Sequence, residues 1–487
     1  MLPGEKGLLG YAGLGAASLV VSLTAAALLY RFVEQPGIAL AQRLTGRKPG
    51  PIGAPAAAPP GAIDGAGRPA PEHGEGEPAR DEDPARAIRR RMRVLESGDA
   101  LRAWGLLAVI TWHIAGFAVA LRHGTALPDF SHYGSTLGAL LESFQAGVWL
   151  FFALSAYLLA RPFAAAVLGR APRPGLRRYA IHRIGRVAPV LWAVVTLCLL
   201  LYGTSGASVG QIAAMYGFAQ VWDPAAVNAP VGHAWSIDVE VAYYLALPLL
   251  GLACLALVRR WPGRIGGGLA AALVLGTCAA GLALSSTWLP AETPPMHSPI
   301  GALVAFLPGV AVAVAEVGWG PRIAAWARTP TVAALAAIAG LVVFYKLSSW
   351  TQLGSTEAIV YNAVAAGLVV TGLVLWQLAG RTTWAPLRWR PVAWLGERSY
   401  SIFMGHGIVA FELRDVGTDA DGLWTHFLVY EAVAVPVAVA LGVVIFHLVE
   451  RPLMRLSRGE RPLFGGGHEL PGFEPGAPPR SAASAAD

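Results

Sequence analysis

Long apolar runs separated by short, arginine-bearing segments dominate the chain from residue 8 onward. Runs of about 20 apolar residues match the length of an α-helix that crosses hydrocarbon. They fall at 8–30, 101–121, 144–161, 187–203, 240–258, 267–286, 299–317, 330–346, 358–379, 394–411 and 427–449. The pattern predicts an all-α, polytopic membrane bundle of ten clustered core spans plus one outlying N-terminal span.

The outlying span belongs to a first region, 1–45. Its apolar run is too long for a cleaved signal, Glu5 and Lys6 give no clear positive n-region, and no small-residue cleavage site follows. The next region, 46–98, is rich in Pro, Gly and Ala and almost without bulky apolar side chains. It buries too little surface to offset the entropy of ordering, so it reads as a disordered cytoplasmic linker. Residues 99–456 hold the ten core spans, and 457–487 read as a short disordered tail with no room for an appended soluble domain. One internal echo stands out. Tyr30-Arg31-Phe32-Val33-Glu34-Gln35-Pro36 aligns with Phe446-His447-Leu448-Val449-Glu450-Arg451-Pro452, each closing an apolar helix.

Composition agrees with the membrane reading. Of 487 residues 55% are hydrophobic and 14% charged, against about 25% charged in soluble domains, and mean hydropathy is +0.52. The net charge of +7 does not point to nucleic acid, because the arginines sit in loops between spans, where they set orientation. Lys and Arg number seven in 161–186, three in 258–266, two in 318–329, four in 380–398 and four in 450–461. The opposite loops carry only Arg122, Lys346 and Arg414. This asymmetry puts the first set, and the C-terminus, in the cytoplasm of a bacterial-type cell membrane, with the N-terminal span inserted from outside. Cys198, Cys254 and Cys278 lie in apolar runs without metal-ligand spacing and read as small buried hydrophobes, so no metal site is expected.

Ionisable groups inside spans mark function by default, because they are costly to insert. His113 lies in the run 101–121 with Arg102 eleven residues before it. Eleven helical steps return to within about 20° of the starting direction and cover about 16 Å, so Arg102 sits at the surface and His113 near mid-depth. Two further segments carry candidate chemistry. Arg183 and Arg186, three apart before Pro189, form one guanidinium patch suited to phosphate, or serve as ordinary orienting charge. His233-Ala234-Trp235-Ser236-Ile237-Asp238-Val239-Glu240 opens another span. Asp238 and Glu240 are about 200° apart on a helix, so only one of them faces a shared interior site, and Glu240, the deeper, is the candidate partner for His113. A proton-coupled transporter using His113 and Glu240 is the alternative, although no paired half-repeat is visible.

These segments resemble the acyltransferase 3 family of integral membrane proteins. The likeness is carried by Arg102 with His113, by Phe151-Phe152-Ala153-Leu154-Ser155-Ala156, and by Arg183-Ile184-Gly185-Arg186 before a proline. It is completed by Trp235-Ser236 with Glu240, by Ser399-Tyr400-Ser401 ahead of His406, and by the closing Glu450-Arg451-Pro452. Ala156 replaces the family's usual Gly, Asp238 a common Ser, and Val241 a frequent second Glu. The resemblance spans about 99–456, and the echo at 30–36 makes 1–98 read as the remnant of a preceding unit. It implies transfer of an acyl group, often acetyl, from acyl-CoA to a hydroxyl of a carbohydrate, lipid-linked glycan or secondary metabolite, with no tightly bound cofactor. His113, with Glu240 and Arg102, is then the catalytic group, as base or as acylated intermediate. Arg183 and Arg186 hold the donor's phosphates, and Trp235 and Ser236 line the acceptor side. His406 reads first as a helix-to-helix hydrogen bond, and the external segment 204–233 as a possible acceptor selector.

Overall fold

The structure is a computed structural model describing Arg31 and residues 98–124, 129–223, 231–288, 297–326, 330–348, 356–378, 387, 389–419 and 421–457. The N-terminal span, the linker and the tail therefore lie outside the described residues, apart from Arg31.

Among the described residues the regular structure is all helical, with no strands. The elements are α1 (Gly98–His123), a 3-10 turn Phe130–Tyr133, α2 (Ser135–Ser143), α3 (Gly147–Val167), α4 (Leu176–Tyr202) and α5 (Val209–Tyr216). They continue with a 3-10 turn Gly232–Ala234 leading into α6 (Trp235–Arg260), then α7 (Arg264–Trp288), α8 (Leu307–Trp326), α9 (Pro330–Ser348) and α10 (Thr356–Leu378). The last are α11 (Arg390–Glu397), α12 (Ser399–Glu412), α13 (Gly422–Ile445), a π-helical turn Phe446–Glu450 and α14 (Arg451–Ser457). Large apolar side chains point outward, with Leu200 78% and Leu249 69% exposed, as expected of surfaces solvated by lipid.

Among the described residues eight helical stretches are long and apolar enough to cross a bilayer, against the ten core spans read from the sequence. The run at 330–346 is helical, but its apolar stretch Thr331–Val343 is short. The run at 394–411 is two helices, α11 and α12, broken at Arg398. A guanidinium lies at the break: Arg398 folds back to the Trp394 carbonyl and lies between the Trp394 and Phe446 rings, 4.6 and 4.7 Å from their centroids.

Helix α3 is central and packs against α1, α6, α8 and α10, while α1 also meets α11, α12 and α13. Small residues make the α1–α3 approach possible. A Cβ on Gly147 would lie 2.3 Å from the Gly105 carbonyl oxygen, and one on Gly105 3.1 Å from that of Gly147. Backbones this close gain dispersion contacts that larger side chains would prevent, and the seam fixes α1, bearing Arg102 and His113, against α3, bearing Ser155 and Arg161.

Two sequence motifs far apart in the chain meet at the arginine-bearing end. Ser401 of α12 donates to Glu450 at 2.6 Å, and Tyr400 donates to the Val187 carbonyl of α4 at 2.7 Å. The late Ser-Tyr-Ser stretch and the closing Glu-Arg-Pro thus form one joint between α4, α12 and the C-terminal turn.

Candidate active site

A cavity of about 500 Å³ opens near the ends of the bundle that carry most of the arginines. Its walls include Arg102 from α1, Phe151, Phe152, Ser155 and Arg161 from α3, Arg183 and Arg186 from α4, and Ser236, Glu240 and Tyr244 from α6. Tyr400, Phe403 and Glu450 complete the far side. Five sequence candidates therefore converge: Arg102, Arg183, Arg186, Ser236 and Glu240.

The charges are arranged unequally. Arg102 donates to Asp99 one turn back at 2.7 Å. Arg161, 5% exposed, pairs with Glu316 of α8 at 3.0 Å, and Tyr157 donates to the same carboxylate at 2.8 Å. Arg183 lies 5.8 Å from the centre of the Tyr244 ring, and Arg186 feels Glu450 and Glu240 at longer range. Two guanidinium groups are thus clamped by carboxylates, whereas Arg183 and Arg186 face the cavity from one helix turn. Sequence reading missed Arg161, whose partner lies 155 residues away.

Glu240 and Asp238 point to different places, as their spacing requires. Glu240 lines the cavity and accepts from Ser155 at 2.6 Å. Asp238 accepts from the backbone N–H of Val221 at 3.3 Å and anchors the 3-10 turn Gln220–Trp222. Glu240 thus has Ser155 as a hydrogen-bond partner, with the Tyr244 hydroxyl also bonded to it.

His113 lies deeper and is not among the cavity-lining residues. Three imidazoles cluster there: His113 of α1, His233 of the turn before α6, and His406 of α12. His406 Nε2 is 3.3 Å from His113 Nδ1. Ring centroids are 5.0 Å apart for His113 and His406, 4.7 Å for His233 and His406, and 6.4 Å for His113 and His233. Phe403 stands between this cluster and the cavity, lining the one and packing at 5.3 and 5.4 Å against His406 and His233. Phe151, 6.4 Å from Phe403, shares the same wall. Room for His233 depends on Gly407, where a Cβ would lie 2.4 Å from the His233 ring. No group of described residues is arranged to hold a metal ion, and Cys198, Cys254 and Cys278 are buried free thiols.

Trp235 also lies off the cavity lining. Its ring packs on Phe152 at 6.3 Å and on His297 at 4.5 Å. His297 sits in the segment between spans, and burial lowers its pKa to about 4, so its imidazole is neutral at physiological pH.

A family model described as an acyltransferase domain matches residues 96–447. No curated protein and no solved structure matches the chain.

Proposed function

This chain belongs to the acyltransferase family matched over 96–447, and on that premise we propose a membrane O-acyltransferase that moves an acyl group, acetyl in the simplest case, from an acyl-CoA to a hydroxyl. The acceptor class is a carbohydrate, a lipid-linked glycan or a secondary metabolite. The observation that carries the reading is the cavity in which Arg183 and Arg186 face Glu240 and Tyr244, with a histidine cluster behind the Phe403 wall.

The donor's phosphates are too charged for hydrocarbon and stay at the arginine-bearing face, against Arg183 and Arg186. That face, with the C-terminus, is the cytoplasmic one in this reading. The thioester extends inward past Phe151 and Phe403 toward His113. The acceptor oxygen attacks the thioester carbonyl carbon while His113 takes the hydroxyl proton. The carbon–sulfur bond then breaks, and the proton passes to the departing thiolate. A base positioned in this way contributes about 10²–10⁴-fold to rate. Glu240, held by Ser155, and Arg102, held by Asp99, shape the field between the phosphates and the reacting carbonyl. Ser236 reaches the same cavity, and Trp235 flanks the acceptor side.

Replacing Arg183 and Arg186 together with Ala tests the donor site. A charge-assisted hydrogen bond contributes about 1.5–3 kcal/mol, so the donor KM should rise at least about tenfold while the acceptor KM stays within about twofold. An unchanged donor KM would return the pair to orientation alone. In cells, loss of the gene should remove one acyl mass from a surface glycan or secreted metabolite.

A further inference from the structure

The histidine cluster has a hydrogen-bond logic that the reaction above does not use. A backbone carbonyl only accepts, so an imidazole nitrogen facing one must carry the proton in the neutral ring. His113 Nδ1 faces the Val109 carbonyl at 2.9 Å, which makes it Nδ1–H and leaves the lone pair on Nε2. His406 Nδ1 faces the Phe403 carbonyl, so its lone pair is also on Nε2. His233 Nε2 faces the Met404 carbonyl at 3.2 Å, which puts its lone pair on Nδ1. The hydrogen-bond contact between His113 and His406 then joins a donor to an acceptor: His113 Nδ1–H points to the bare Nε2 of His406 at 3.3 Å.

We propose that His406 is a positioning residue for His113: its Nε2 shares the Nδ1–H that the Val109 carbonyl requires, and so holds the plane of the His113 ring with Nε2 free to take the acceptor's proton. The proposal rests on reading His113 as the base. His406 is 1% exposed and is itself fixed by its own helix through Phe403. It meets His113 across 293 residues of sequence, so α12 sets the ring plane of a side chain carried by α1. When His113 becomes doubly protonated, its Nδ1–H is shared by the Val109 carbonyl and His406 Nε2. Two acceptors then face the developing positive charge without a buried carboxylate. His233 packs edge-on behind His406 in the space that Gly407 leaves, which restricts rotation of the His406 ring.

Two substitutions separate hydrogen bonding from packing. Leu fills a similar volume without an acceptor, whereas Gln offers a carbonyl oxygen near the place of Nε2. His406→Leu should lower kcat by about 10- to 100-fold, the usual cost of losing an orienting partner, with donor KM unchanged, and His406→Gln should recover most of that loss. A structural role would lower the amount of folded protein for both variants and leave the kcat of what remains intact. A readout independent of turnover comes from ¹⁵N solid-state NMR of histidine-labelled protein in lipid, with the His113 signal identified by its absence in His113→Gln. It should report Nδ1–H in the wild type and in His406→Leu alike, because the Val109 carbonyl remains, with weaker ¹⁵N–¹H dipolar order of the His113 ring in His406→Leu. Wild-type kcat in His406→Leu, no recovery by Gln, unchanged His113 ring order in His406→Leu, or an Nε2–H signal from His113 would each overturn the proposal. If the wild type transfers no acyl group at all, the function reading falls, while the NMR arm still decides whether His406 holds His113.

Discussion

His113→Ala should lower acyl transfer by about 10²–10⁴-fold, equivalent to about 3–5.5 kcal/mol of barrier, with donor KM within about twofold of wild type. The split follows from the geometry. The donor's charged end meets Arg183 and Arg186 in the cavity, whereas His113 lies behind Phe403, so removing the imidazole leaves the binding end untouched. Purified protein reconstituted in lipid, assayed for free thiol and for acylated acceptor, gives both parameters. His113→Gln serves as the folding control, because it keeps a polar group opposite His406. Ester formation retained above about a tenth of wild type in His113→Ala would remove His113 from the chemistry. Loss of thiol release with acceptor acylation intact would contradict the reaction as written.

The second large effect concerns stability. Gly147→Leu should destabilise the bundle by about 3 kcal/mol, because overpacking a tight interior seam costs that order even where neighbours adjust. Here the neighbour is backbone, since the Gly105 carbonyl oxygen already stands 2.3 Å from where a Cβ would be. Gly267→Leu is the matched control. It lies on an exposed helix face with nothing within 4 Å of its Cβ position, and there the better helix former should be neutral or stabilising by up to about 1 kcal/mol. Thermal unfolding in detergent compares the two. Equal behaviour would mean that α1 and α3 are not in close contact. Because the seam also positions α1 against Ser155 and Arg161, Gly147→Leu protein that does fold should lose activity with the donor site altered as well.

Hydrophobic run length made most of the helices legible, because the cost of burying backbone polar groups in hydrocarbon leaves little choice of secondary structure. The break at Arg398 was less visible, since a window of 20 residues averages one guanidinium away, although Glu397-Arg398 near the start of the run is a signal of it. Helical period correctly separated Asp238 from Glu240, because each face is a property of one helix. Partners across helices are a different matter. Ser155 with Glu240, Arg161 with Glu316, Thr111 with Glu431 and His113 with His406 join residues 85, 155, 320 and 293 apart. No local period encodes such pairs, because they depend on how whole helices are placed. The Phe403 wall that separates His113 from the arginine cavity belongs to the same class.

The aromatic sandwich around Arg398 also bears on how this protein is made. One ring, Trp394, is four residues before the arginine, but the other, Phe446, is 48 residues later and leaves the ribosome after α13. Until then the guanidinium, 3% exposed in the finished fold, keeps Glu397 and the Trp394 ring but lacks the Phe446 face of its cover. The packing around the α11–α12 break is therefore complete only once the residue after α13 is in place. A nascent chain cut before Phe446 should leave the Arg398 segment more accessible to water-borne labels than the full chain does, because one face of its aromatic cover is then missing.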